Sequence, residues 1–403
     1  MNGAGATGGA TPRSSRPSSV SVNDRDYRWP REPLVVVCLD GSSFEYIREA
    51  IGAGAAPFLA SLVARGFVRT VDAAMPTFTN PNNVSIVTGV APARHGISGN
   101  FFLDRETGQA VMMNDPRFLR AETILGGFSR AGATVAAITA KDKLRLLLGA
   151  GSSGVCASAE QDGVPVYSAG LSEHVLARGV DLARTLKPDI MYLSTSDYVQ
   201  HACAPGSREA NRFYAAVDDH LAALDASGSA LVITADHGMR AKTDADGRAR
   251  IVFLQTLLDD ELGQNAATVI LPITDPYVAH HGSLGAFAAV YLARGGDAPA
   301  IAGRLRRVPG VEVVLDRDAA CARFELPPDR TGDIVVCADR DTVIGTRAAD
   351  HDLRALEGPL RSHGGLAERE VPMLFNRRLD AAAERPRRNY DAFRVGLNGL
   401  RLA

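Results

Sequence analysis

Twice in this chain an acidic residue stands directly behind a run of consecutive apolar residues. Leu34–Leu39 ends in Asp40-Gly41, and Ala230–Ala235 ends in Asp236-His237-Gly238. A third apolar run, Ile190–Ser194, is followed by Asp197 and His201, and that four-residue spacing sets both side chains on one face of a helix. His363 lies in the stretch Arg361-Ser362-His363-Gly364-Gly365, where the glycines let the backbone approach a neighbour closely. Carboxylate oxygen and imidazole nitrogen are donors that zinc takes. Taken singly, Asp40 also fits a plain Asp-Gly turn and Asp197/His201 a surface pair. The adjacent Asp236-His237 at the tip of a buried strand has few structural uses, and a metal is the simplest. Together with Thr79, the seven positions Asp40, Thr79, Asp197, His201, Asp236, His237 and His363 divide into two sets. Two ions about 4 Å apart clamp the attacking and leaving atoms of an in-line displacement at phosphorus.

Thr79 belongs to a Pro-, Thr- and Asn-rich stretch, Pro76 to Asn83, that runs into Val84-Ser85-Ile86-Val87-Thr88-Gly89. This pattern opens a helix, expected over 84–89, and the start of a helix seats an anionic group on unpaired N–H donors. An ordinary capped helix is the other reading of the same residues. Lys141 and Lys143 follow the apolar run Thr134–Thr139 and can clamp a carboxylate or a phosphate. A solvated basic loop salt-bridged to Asp142 is the alternative.

The elements that must carry these residues are strands and helices in alternation. Continuous apolar runs at 34–39, 134–139, 188–194 and 230–235 read as parallel strands buried on both faces, whose carboxyl ends are where open α/β sheets keep their sites. Helical spacing fills 43–65, 121–131, 170–186 and 209–225. Beyond about residue 257 strand-like runs at 267–273, 286–292, 311–315 and 334–337 flank a helix near 297–307, a smaller α+β unit. Its adjacent His280 and His281 alternate faces on a strand and read as packing or turn residues.

Composition excludes several classes of function. The 403 residues are 46% hydrophobic and 22% charged with a net charge of −2, so there is no basic footprint for nucleic acid and none for a membrane surface. No apolar run approaches the roughly 20 residues of a membrane span. The five cysteines (Cys38, Cys156, Cys203, Cys321 and Cys337) lack metal-knot spacing and read as free thiols of a cytoplasmic protein. Residues 1–31, rich in Gly, Ser, Pro and Arg, read as a disordered leader.

The combined pattern resembles the alkaline phosphatase superfamily, and within it the phosphonoacetate hydrolase and nucleotide pyrophosphatase branch, over about residues 32–257 and 346–376. The resemblance implies an alkaline-phosphatase-like α/β sandwich with a central, mostly parallel sheet. Its core would be 32–257 and 346–403, with an α+β cap insertion at 258–345. In pyrophosphatases the nucleophile loop reads Thr-Phe-Pro-Asn and then Val-Thr-Gly; Thr79-Asn80-Pro81-Asn82 through Val87-Thr88-Gly89 keeps that spacing, with Asn80 where Phe is usual. Thr79 then matches the nucleophile and Thr77 is out of register. Asn100, after His95-Gly96-Ile97, matches the oxyanion-binding residue. By the same likeness one zinc is held by Asp197, His201 and His363, and a second by Asp40, Asp236 and His237 next to Thr79. Lys141 and Lys143, in Ala-Lys-Asp-Lys-Leu, match the pair that holds the substrate carboxylate in phosphonoacetate hydrolases. Pyrophosphatases need an aromatic slot for a nucleobase, and this chain is 6% aromatic with one Trp. The implied reaction is cleavage of the C–P bond of phosphonoacetate through a phosphothreonine at a two-zinc site. The implied partner is a small phosphonate, and a homodimer is compatible with it. A nucleotide pyrophosphatase or phosphodiesterase is the alternative enzyme, and an inactive zinc-binding interaction protein the alternative outside catalysis.

Overall fold

The structure is a computed structural model that describes residues 16–273, 282–354, 356 and 358–401. His280 and His281 lie outside the described residues. A seven-stranded sheet organises the chain. Its order is Val68–Asp72, Glu370–Phe375, Ala230–Thr234, Leu34–Cys38, Ile190–Ser194, Val135–Thr139 and Val155–Ser158. The last five run parallel, and only Glu370–Phe375 runs against its neighbours. The central strands are buried at every position because helices cover both faces. Leu34, Val36 and Cys38 pack with Val84 and Val87 of the Thr79–Thr88 helix and with Phe393 of the C-terminal helix. Val35, Val37 and Leu39 pack on the other face against Ile47, Leu59, Val175 and Val217, from four further helices. A period of two inside an unbroken apolar run is the signature of a strand covered on both sides.

Register places the site. Cys38 is level with Thr234 on one side and Ser194 on the other, and Ser194 is level with Thr139. Asp40, Asp236 and Lys141 each stand two residues past these aligned ends and Asp197 three past. Residues far apart in sequence thus converge over one edge of the sheet.

A second sheet is antiparallel, in the order Ala267–Ile270, Phe287–Leu292, Ile334–Ala338 and Val311–Asp316. The helix Ala298–Leu305 packs on it, as does Arg317–Phe324, a helix the sequence pattern did not announce. Its core takes in Met75 and Phe78 from the stretch before Thr79, so the two units share packed side chains. Among the described residues no single helix is long and apolar enough to cross a membrane. The cysteines are all free.

Two expectations need correction. Residues 16–31 are not a disordered leader: Ser19–Val22 and Arg25–Arg28 form a hairpin that buries Val20, Val22 and Tyr27 against the sheet's helical layer. Trp29 packs on Phe128 with ring centroids 5.8 Å apart. The helix expected over 84–89 starts at Thr79 and ends at Thr88, with Gly89 in the left-handed conformation as its cap. Pro81 falls in its first turn, where a missing N–H removes no helical bond.

Beside that helix His95 is wholly buried. Its Nδ1 accepts from the Ile97 N–H at 3.1 Å, which leaves Nε2 to donate to Ser85 Oγ at 2.8 Å. Burial keeps this ring neutral and lowers its pKa to about 3. The unfolded chain takes up a proton near the ordinary histidine pKa of about 6.5 and the folded chain does not, so stability rises with pH between the two values. Between pH 7.5 and 5.5 the loss is about 1.4 kcal/mol. Unfolding free energies of chelator-treated wild type should fall by about that much more than those of His95→Gln over this pH range.

Candidate active site

Asp197 sits just ahead of the helix Tyr198–Ala202, and His201 in it. Asp197 Oδ2 is 3.0 Å from His201 Nε2 and 3.6 Å from His363 Nε2. Asp40 Oδ1 is 3.2 Å from His237 Nε2, yet both atoms are buried without an aligned hydrogen-bond partner. Four donors around a zinc at about 2.0 Å stand about 3.3 Å from one another. The close but unbonded approach of Asp40 to His237 therefore fits two ligands of one cation better than a hydrogen-bonded pair.

The outer nitrogens agree. His201 Nδ1 meets the Arg361 carbonyl at 2.8 Å, His237 Nδ1 that of Gly238 at 2.9 Å, and His363 Nδ1 that of Thr77 at 2.7 Å. Each carbonyl requires a protonated Nδ1, which turns the Nε2 lone pair towards the site in all three rings. The rings of His237 and His363 are stacked, 3.6 Å apart and 5° from parallel.

Among the described residues two triplets could hold a metal: Asp197, His201 and His363, and Asp40, Asp197 and His237. The expected second set had Asp236 where these distances put Asp197. Asp236 Oδ2 is 3.8 Å from His237 Nε2 and accepts from Asn83 Nδ2 at 3.1 Å. Asp236 Oδ1 accepts from the N–H groups of Gly41 and His237. Electrostatics mark the crowding of the three carboxylates. Burial, then Asp197 and Asp236, raise Asp40 well above the ordinary carboxyl range. Burial would also raise Asp197, but His201 and Lys141 outweigh it and hold it well below. Burial opposes charge on His237, but Asp236 and Asp40 raise it to about 10. A divalent cation is the alternative partner for those carboxylates.

Thr79 opens its helix facing a pocket lined by Asp40, Asn100, Lys141, Lys143, Asp197 and His363. The N–H of Asn80 points at Asn100 Oδ1, 3.4 Å away, and the Asn100 N–H donates to the Pro272 carbonyl at 2.8 Å. Thr77 is fully engaged elsewhere: its hydroxyl donates to the Gly365 carbonyl at 3.0 Å and accepts from the Gly364 N–H at 3.0 Å. Gly364 has φ +116, and a side chain there would strike the Phe78 ring, so glycine is required for this close approach. Lys141 and Lys143 flank Asp142 at the start of the helix Asp142–Leu148. Asp142 pairs with Arg145 at 2.6 Å. Burial and the charge of Lys141 lower Lys143 to about 7.

Sequence reasoning passed over Asn83. Its Nδ2 donates to the Thr79 carbonyl and to Asp236, and its Oδ1 accepts from Tyr192 and Ser194, so it ties the Thr79 helix to the strand Ile190–Ser194 and to the loop after Ala230–Thr234. Its position one helical turn beyond Thr79 was the available signal.

These features define a hydrolase of one family. Residues 34–366 match the model of type I phosphodiesterase / nucleotide pyrophosphatase, and the chain belongs to that family. The phosphonoacetate hydrolase of Sinorhizobium meliloti 1021, solved with phosphonoacetate and again with phosphonoformate, is 52% identical at a TM-score of 0.90, over 94% of this chain and 98% of that one. Murine ectonucleotide pyrophosphatase / phosphodiesterase 5, solved with AMP, shares the fold at 20% identity and a TM-score of 0.65, over 93% of this chain and 96% of its own. An uncharacterized pyrophosphatase/phosphodiesterase of Schizosaccharomyces pombe is 36% identical over 84 residues, which is 21% of this chain and 16% of the yeast protein. The mostly parallel central sheet is that of the alkaline-phosphatase-like fold.

Two expectations follow for experiment. Thr79→Ala should leave the thermal midpoint in place and reduce phosphate release by several orders of magnitude. Thr77→Ala should instead cost about 1–3 kcal/mol of stability, because it strands buried partners; a Thr77 variant that is stable but dead would reverse the two roles. For metals, His201→Ala and Asp40→Asn should each weaken one of two binding events in a chelator competition, and not the same one.

Proposed function

We propose that this chain hydrolyses the C–P bond of phosphonoacetate to acetate and phosphate through a phosphothreonine on Thr79. The observation that carries the reading is the convergence of Lys141 and Lys143 on the same pocket as Thr79 and Asn100. Asp197, His201 and His363 would hold one zinc, and Asp40 and His237 with Asp197 or Asp236 a second. When bound, the ions supply positive charge beside the Thr79 hydroxyl and the phosphoryl oxygens.

The Thr79 hydroxyl gives up its proton to solvent, and its Oγ1 forms the new bond to phosphorus as the P–C bond breaks opposite it. Asn100 and the Asn80 N–H, at the positive end of the helix, stabilise the phosphoryl oxygens as charge shifts onto them. The departing electron pair moves onto the acetate carbon and into its carboxylate, which Lys141 and Lys143 hold by charge-assisted bonds. A proton from solvent completes acetate. Water then attacks the phosphothreonine, which returns the Thr79 hydroxyl and releases phosphate. The small antiparallel sheet acts as the cap over this pocket.

A nucleotide substrate is the second reading, since the AMP-bound murine protein shares the fold. Among the described residues the pocket lining has no Phe, Tyr or Trp to take a base, which favours the small phosphonate. Parallel kinetics of Lys141→Ala/Lys143→Ala on phosphonoacetate and on a nitrophenyl phosphate diester separate the two. Each lost bond to the carboxylate is worth roughly 1.5–3 kcal/mol, so kcat/KM for phosphonoacetate should fall by about 10²–10⁴. Part of the loss should fall on kcat, since the carboxylate gains charge only as the bond breaks. The diester reaction should be nearly unchanged. Equal losses on both substrates would overturn the assignment.

A further inference from the structure

Behind the stacked rings of His237 and His363 lies an ion pair cut off from solvent. Lys242 and Glu368 are 0% and 1% exposed. Lys242 Nζ donates to Glu368 Oε1 at 2.8 Å and to the Arg340 carbonyl at 2.9 Å. Burying two opposite charges is a poor route to stability, because each ion loses several kcal/mol of hydration and an apolar pair of similar volume often does as well. Its placement gives the pair another use. Lys242 lies five residues beyond His237 and Glu368 five beyond His363, so each partner belongs to the segment that carries one of the stacked rings.

Between ring and ion pair the two segments are joined step by step. Arg240 and Ala241 pair with Ser362 and Arg361 as short antiparallel strands. The Gly238 N–H donates to the Glu368 carbonyl at 2.8 Å, and Arg240 Nε to the Ala367 carbonyl at 2.9 Å. The second carboxylate oxygen of Glu368 reaches back to the Gly365 N–H at 3.1 Å. Gly364 and Gly365 have no side chains with which to fix the backbone that follows His363. Glu368 therefore provides an anchor for that turn, and Lys242 ties the anchor to the His237 segment.

We infer that Lys242 and Glu368 form a positioning pair that fixes the His237 segment against the His363 segment and so sets the spacing between the two metal-binding sets. The inference rests on the two-metal reading in taking these histidines as ligands. It goes further in assigning the registration of the two sets to a charge pair that touches neither substrate nor metal.

The test uses the full chain and the double variant Lys242→Met/Glu368→Gln. The chelator-treated variant should unfold close to the wild-type temperature. The weaker of its two zinc affinities, read by competition with a chromophoric chelator, should fall about 10–100-fold, as for lost outer-shell partners. The visible bands of the cobalt(II)-substituted protein should shift, and kcat should drop with KM little changed. If that double variant does not fold, Lys242→Gln/Glu368→Gln, which keeps the pair neutral and retains an acceptor for the Gly365 N–H, gives the same readouts. Unchanged zinc affinities and an unchanged cobalt spectrum, with only stability altered, would overturn the inference and leave the pair as a core brace. A wild-type chain that binds fewer than two zinc ions would overturn the two-metal reading and this inference with it.

Discussion

Three carboxylates, those of Asp40, Asp197 and Asp236, are buried together at the aligned ends of adjacent strands, and the structure around them answers to that concentration of negative charge. In a low-dielectric interior, like charges this close raise one another's pKa unless a cation or a set of donors accepts the charge. Asp236 is served by donors: two backbone N–H groups and Asn83. Asp197 is served by His201 and His363, while Asp40 keeps an oxygen without an aligned hydrogen-bond partner. The three histidines present Nε2 because backbone carbonyls have claimed Nδ1, so the cluster is prepared to bind cations before any arrive.

The elements that create this cluster were legible because each obeys a strong local rule. A strand covered on both faces must be apolar throughout, so Leu34–Cys38, Ile190–Ser194 and Ala230–Thr234 stand out in the sequence, and the first polar residues after them fall at the sheet's carboxyl edge. Parallel pairing with aligned ends then does the assembly. The chain did not announce features that depend on partners far away. The hairpin at 19–28 has only Val20, Val22 and Tyr27 to show for itself, within a Gly-, Ser- and Arg-rich stretch whose composition argues for disorder. Lys242 and Glu368 are ordinary charged residues until two loops bring them together. The placing of Asp197 in both ligand triplets is likewise a matter of three-dimensional distance.

The start of the Thr79 helix shows how a local rule misleads. Pro, Asn and Thr mark turns, and on that ground a helix is expected only from Val84 onward. In the fold Pro81 occupies the first turn, Asn82 holds the carbonyls of Ala74, Pro76 and Phe78, and Asn83 serves Asp236. These side chains satisfy backbone groups that a buried helix start would otherwise leave stranded. The helix is buried from Asn80 to Thr88, so its polar residues are partnered inside and not exposed.

The site therefore meets two different physical demands. Carboxylates and imidazoles can concentrate positive charge beside phosphorus, and this chemistry is indifferent to what the phosphorus is bonded to. Lys141 and Lys143 line the same pocket, and Lys143 is lowered to about 7 by burial and by the charge of Lys141. Two cations held in mutual repulsion gain most from a compact anion placed between them. A leaving group that carries a carboxylate, and acquires more charge as its bond to phosphorus breaks, meets that demand; a neutral nucleobase does not. On the proposed reading, within one family and one fold, the character of the leaving group is set by this lysine pair.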